Sequence, residues 1–148
     1  MREEIFLKEE VNNKILADKI IGMIKKQTGP IVLALTGDLG SGKTTFVKYF
    51  GKLLGIKEKI LSPTFMIFRT YFLDKKSDFE KIYHVDLYRI KEVSELEVLS
   101  FSEILNNKKN IILVEWADKF KEIIPEGAIW IDFKSGAQPN ERIVAISN

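Results

Sequence analysis

The stretch Gly37-Asp38-Leu39-Gly40-Ser41-Gly42-Lys43-Thr44 decides how this chain is read. It fits the pattern G-x-x-x-x-G-K-[ST], and its residue types answer to one chemical task. Glycines let successive backbone N–H groups turn inward around an anion with no side chain in the way. A helix starting near Lys43 would offer its unpaired N–H groups and the positive end of its dipole to the same anion. The Lys43 ammonium can reach a β- or γ-phosphate, and the Thr44 hydroxyl is placed to bind Mg²⁺. Thr45 stands where it can hydrogen-bond an α-phosphate. The expected nucleotide-binding set is therefore Asp38, Leu39, Gly40, Ser41, Gly42, Lys43, Thr44 and Thr45.

The surroundings supply the context that a bare pattern match lacks. Residues 31–35 are a continuous apolar run, which suits a central strand of a parallel sheet buried on both faces. After the loop, Phe46, Val47, Phe50, Leu53 and Leu54 share one helical face, and Gly55 stands where a C-terminal cap is expected. Upstream, residues 4–8 alternate as a short strand. Residues 13–27 carry Leu16, Ile20, Met23 and Ile24 at helical spacing, with Asn12 or Asn13 as N-cap.

Downstream, 65–73 and 80–88 read as strands around a polar hairpin loop at 74–78. Residues 92–107 read as a helix broken near Ser100, and 110–114 as a strand ending at Glu115-Trp116. A short amphipathic turn and a Pro125-Glu126-Gly127 break follow, then a hairpin of 128–134 with 142–147. The expected fold class is α/β: a three-layer P-loop domain whose mixed sheet is parallel in its core and antiparallel at its edge hairpins. No repeat or linker marks a boundary, so residues 1–148 are expected to form a single domain. The order of the strands stays open.

Composition narrows the function classes. A net charge of +2 with interspersed acids and bases gives no stripe for DNA or RNA, although scattered lysines such as Lys57, Lys59, Lys75 and Lys76 permit a modest basic patch. The absence of cysteine excludes disulfides, thiolate zinc sites and a cysteine nucleophile, and it fits a reducing cytoplasm. The charged start Met1-Arg2-Glu3-Glu4 leads into no signal-peptide core, and no apolar run nears the ~18 residues of a membrane span.

A phosphate loop of this kind works with carboxylates at the ends of neighbouring strands. Ile111-Ile112-Leu113-Val114-Glu115 is four buried-type residues followed by an acid, a Walker-B arrangement with Glu in place of Asp. Ile82-Tyr83-His84-Val85-Asp86 is less apolar and also ends in an acid. Burying either carboxylate without a cation would be costly. His84 is read as a hydrogen-bonded strand residue that could hold Asp86 in position, and Trp116 as packing. Ser62-Pro63-Thr64 is either a switch-like loop closing over γ-phosphate and Mg²⁺, with Thr64 as the contact, or an ordinary proline turn.

Taken together, four blocks carry a resemblance. They are Gly37 to Thr45, Ser62-Pro63-Thr64-Phe65, His84-Val85-Asp86-Leu87-Tyr88-Arg89 and Val114-Glu115-Trp116. In order and spacing they resemble the TsaE (YjeE) family, small ATPases of bacterial threonylcarbamoyladenosine synthesis, over roughly residues 5–146. The resemblance implies ATP and Mg²⁺ as cofactors, with hydrolysis supporting a TsaD–TsaB partner complex in the cytoplasm. That complex modifies an adenosine beside the anticodon, so contact of this chain with tRNA would be indirect. It also implies catalytic roles for Lys43, Asp86 and Glu115. Thr44, Glu115 and Asp86 would be the Mg²⁺ set, and Thr64 would lie in the switch-like loop. Which acid positions the attacking water stays open, as do the adenine-side contacts.

The competing reading is a small-molecule kinase. Such an enzyme needs an acceptor pocket and an Arg-bearing lid, whereas Arg69, Arg89 and Arg142 are scattered. A GTPase would carry N/T-K-x-D, and Asn107-Lys108-Lys109-Asn110 lacks the required Asp.

Overall fold

The computed structural model describes residues 2–7, 11–63 and 65–148. Thr64 and Lys8 lie outside the described residues. One seven-stranded sheet runs through the molecule in the order β1-β7-β6-β2-β5-β4-β3. The strands are β1 (Arg2–Leu7), β2 (Ile31–Thr36), β3 (Phe68–Phe72), β4 (Lys81–Asp86), β5 (Asn110–Glu115), β6 (Ile129–Ser135) and β7 (Arg142–Ser147). Strands β6, β2, β5 and β4 are mutually parallel, while β1–β7, β7–β6 and β4–β3 pair antiparallel. The parallel core with antiparallel edges follows the expectation from the sequence.

Helices cover both faces. Helices α1 (Val11–Ile24) and α2 (Lys43–Leu53) lie on one, with α3 (Ser94–Glu97), α4 (Phe101–Asn106) and a 3₁₀ segment (Ala117–Ile123) on the other. The period-2 geometry of a strand explains how β2 serves both layers. Ile31, Leu33 and Leu35 pack with Leu16, Ile20, Phe46 and Phe50 of α1 and α2. Val32 and Ala34 face the opposite way, toward Leu96, Phe101 and Ala117. The first five of the six β2 residues are buried on a strand with neighbours on both sides, which is why the run reads as apolar without alternation.

Several boundaries move for identifiable reasons. Helix α1 begins at Val11, so Asn12 and Asn13 sit inside its first turn and neither is the N-cap. Asn13 is buried instead. The apolar stretch expected as a strand from 65 opens as a turn, with the Met66 N–H donating to the Pro63 carbonyl at 2.8 Å. Ile67 has φ 67°, a left-handed conformation that ends extended backbone, so β3 starts only at Phe68. The break expected near Ser100 is present: Ser100 has φ 54° and separates α3 from α4. Gly55, at φ 92°, closes the C-terminal end of α2 as its position suggested.

Candidate functional site

The turn from β2 into α2 builds the centre of the site. Gly37 and Gly42 have φ of 131° and 106°, values that side-chain-bearing residues rarely adopt. A Cβ on Gly37 would also stand 2.3 Å from the Phe133 carbonyl oxygen. The first helical hydrogen bond runs from Phe46 N–H to the Gly42 carbonyl at 2.9 Å. The N–H groups of Lys43, Thr44 and Thr45 thus have no partner within the helix and stand at its positive end.

Lys43 is buried, and its ammonium folds onto its own loop, donating to the carbonyls of Gly37 (2.5 Å) and Asp38 (2.8 Å) and to Ser41 Oγ (3.3 Å). It also sits 4.5 Å from the centroid of the Trp116 ring, over its face. Burial pulls its pKa below the usual lysine value, opposed by the charges of Glu115, Asp86 and Asp38.

Two acids meet this loop from the sheet. Strands β4 and β5 are parallel neighbours with Asp86 opposite Glu115 in the register, and both residues are buried. Thr44 Oγ1 donates to Glu115, at 3.2 Å from Oε1 and 3.4 Å from Oε2. Asp86 Oδ1 accepts the Tyr88 N–H at 2.9 Å, which shapes the turn leaving β4. His84 is the hydrogen-bonded strand residue the sequence suggested, and its partner is Glu115, with Nε2 2.7 Å from Oε1. The pairing follows from the register, in which His84 stands opposite Leu113, two residues before Glu115 and on the same face of the sheet.

These groups fit a nucleotide-bound Mg²⁺. The ion takes octahedral ligands at about 2.0–2.1 Å, so adjacent ligand oxygens stand roughly 3 Å apart. The 3.2 Å between Thr44 Oγ1 and Glu115 Oε1 is close to that spacing. No group of three or more His, Cys, Asp or Glu suited to a metal occurs among the described residues. Mg²⁺ is usually held by one or two carboxylates together with phosphate oxygens rather than by a protein cage.

The loop and acids open into a cleft of about 650 Å³, within the ~300–1,000 Å³ range of small-molecule sites. Leu39 to Thr45, Asp86 and Glu115 line it. Asp38 contributes its carbonyl to Lys43 rather than a cleft-lining side chain. Residues that the sequence reading did not assign to the site also line the cleft: Leu7, Asn13, Phe133, Pro139, Asn140 and Arg142. Arg142 bonds to the phosphate loop, its Nη2 donating to the Gly40 carbonyl at 3.2 Å and its Nη1 to the Pro139 and Glu141 carbonyls at 2.8 Å. Trp116 and Tyr88 line the cleft as well, with ring centroids 5.1 Å apart, and Trp116 is held at φ 59°. No helix among the described residues is long and apolar enough to cross a membrane.

A mixed sheet layered by helices, with a glycine-rich loop between its central strand and α2, defines an α/β domain of the P-loop kind. Comparison with known proteins gives the particular family: residues 7–144 match the model of the threonylcarbamoyl adenosine biosynthesis protein TsaE, and the chain belongs to this family. It is 37% identical over 144 residues to the tRNA threonylcarbamoyladenosine biosynthesis protein TsaE of Rickettsia conorii, covering 95% of this chain and 75% of that protein. The protein of the same name from Rickettsia bellii is 32% identical over 152 residues, covering 100% of this chain and 96% of its own length. Among solved structures, Bacillus subtilis YdiB superposes with a TM-score of 0.71 at 27% identity, covering 99% of this chain and 84% of that one.

Proposed function

We propose that the chain is a Mg²⁺-dependent ATPase that supports threonylcarbamoyladenosine formation on tRNA together with a TsaD–TsaB complex in the cytoplasm. The observation that carries this reading is the direct contact of Thr44 with Glu115 at the mouth of the phosphate loop, with Asp86 beside it on the next strand. Relatives that cover most of the chain bear the name of that tRNA modification, which supports the pathway.

In this reading the phosphates lie against the N–H groups of Gly40 to Thr45. Lys43 exchanges the Gly37 and Asp38 carbonyls for β- and γ-phosphate oxygens. Thr44 and Glu115 would hold Mg²⁺, whose charge would offset the negative charge that develops on the phosphoryl oxygens. Asp86, opposite Glu115, is the second acid at the reacting end.

Hydrolysis is weak in the isolated chain and stimulated by the partner complex. In support, two large apolar side chains are exposed: Leu39, which lines the cleft, and Phe65, three residues after the cleft-lining Ser62, with the Arg89 guanidinium 4.3 Å from its ring centroid. ATP turnover by the purified chain, with Mg²⁺ and with or without the TsaD–TsaB complex, tests the proposal. Strong stimulation is expected. Stoichiometric phosphorylation of a small acceptor, with no response to the partners, would replace it with a kinase.

A further inference from the structure

His84 is the only histidine in the sequence, and it is fully buried in the sheet. It does not line the cleft, although Asp86 two residues later and Glu115 on the next strand both do. A group shut off from the cleft can neither take a proton from a bound water nor ligate a cation there. The one side-chain hydrogen bond it makes among the described residues is the 2.7 Å contact to Glu115 Oε1. An ionised carboxylate only accepts, so Nε2 carries the hydrogen and donates. Nδ1 has no hydrogen-bond partner among the described residues. Glu115 Oε1 is therefore held from two sides, by His84 from within the sheet and by Thr44 from the phosphate loop.

We infer that His84 is a positioning residue that fixes the Glu115 carboxylate in the orientation that meets Thr44, and so sets the affinity for Mg²⁺ in the nucleotide complex. The inference rests on the reading of the cleft as a Mg²⁺–ATP site. A carboxylate on an acyclic side chain turns about its last bonds, and a buried donor at its rear removes that freedom before the cation arrives. Partners of this kind behind a metal ligand change metal affinity by about 10–100-fold when removed. His84 leaves the P-loop untouched, so its loss spares nucleotide binding that does not depend on the cation.

Calorimetric titration of ADP into the wild-type chain, His84→Leu and His84→Gln, each in EDTA and across a Mg²⁺ series, separates the possibilities. Leucine fills the site without a donor, and glutamine restores an N–H. His84→Met replaces leucine if that variant does not fold. The expected result is ADP affinity in EDTA within about twofold of wild type for every variant. The Mg²⁺ needed to enhance binding rises about tenfold or more in His84→Leu and largely recovers in His84→Gln. An unchanged Mg²⁺ requirement in His84→Leu, or no recovery with glutamine, would overturn the positioning role. Absence of any Mg²⁺ effect on wild-type binding would instead overturn the reading of the cleft itself.

Discussion

Asp86 and Glu115 are register partners at the C-terminal ends of two adjacent parallel strands, both buried and both facing the start of α2. Two carboxylates at such a position repel each other and lose solvation, a cost that a cation between them and the loop would relieve. Their other contacts divide their roles. Glu115 touches Thr44 and His84, whereas Asp86 shapes its own turn through the Tyr88 N–H.

Glu115→Gln should lower ATP turnover by at least about 100-fold, in the range found when a preorganised charge-stabilising group is removed. It should also raise the Mg²⁺ requirement. Asp86→Asn should lower turnover while leaving the Mg²⁺ requirement of ADP binding less affected. Steady-state kinetics across a Mg²⁺ series distinguishes the two, and identical profiles would contradict the division of roles.

Lys43→Ala should preserve the fold, because the hydrogen bonds of the ammonium all go to its own loop. ATP affinity should fall by about 10–100-fold, the loss of one charge-assisted contact at roughly 1.5–3 kcal/mol. Equilibrium binding and a thermal melt on the same sample check both halves. Unchanged affinity would mean that the nucleotide does not sit on this loop.

Much of this was legible because it is local. The phosphate loop needs only consecutive residues, and the acids announce themselves as polar ends of apolar runs at 111–115 and 82–86. The break at Ser100 was readable for the same reason. The His84–Glu115 pair was not, because it depends on β4 lying beside β5 in one register, and strand order leaves no mark on either segment. The rest of the cleft lining was hidden likewise. Leu7 and Asn13 come from the start of the chain and Phe133 and Arg142 from its last hairpin, two regions that meet through the β1-β7-β6 pairing. Asn13 read as a cap because its residue type suits one, yet its burial beside the cleft is a tertiary fact.

Lys119 offers a test of how the two acid-bearing strand ends are joined. Its ammonium donates to the carbonyls of Leu87 (3.0 Å), Tyr88 (2.7 Å) and Ile90 (3.0 Å), using all three hydrogens on the turn that leaves Asp86. Lys119→Met leaves those converging carbonyls without a donor and should destabilise the chain by about 1–2 kcal/mol, allowing for solvent at the exposed carbonyl. The urea midpoint reads this directly, and an unchanged midpoint would show that water replaces the ammonium at no cost.

Ser100 is exposed and holds a left-handed conformation, at φ 54° and ψ 38°. That conformation costs a side-chain-bearing residue roughly 1–2 kcal/mol, against roughly 0.5–1 kcal/mol of added chain entropy for glycine. Ser100→Gly should therefore raise stability by about 0.5–1 kcal/mol with ATP turnover unchanged. A lower denaturation midpoint would contradict the strain assigned to the junction of α3 and α4.

Reconstituted threonylcarbamoyl transfer to tRNA by the TsaD–TsaB complex, with this chain either wild type or Glu115→Gln, tests the central claim most directly. The account predicts that the wild-type chain sustains modification with ATP consumption and that Glu115→Gln leaves it near the level without this chain. Modification sustained equally by Glu115→Gln would contradict a role for ATP hydrolysis at this site.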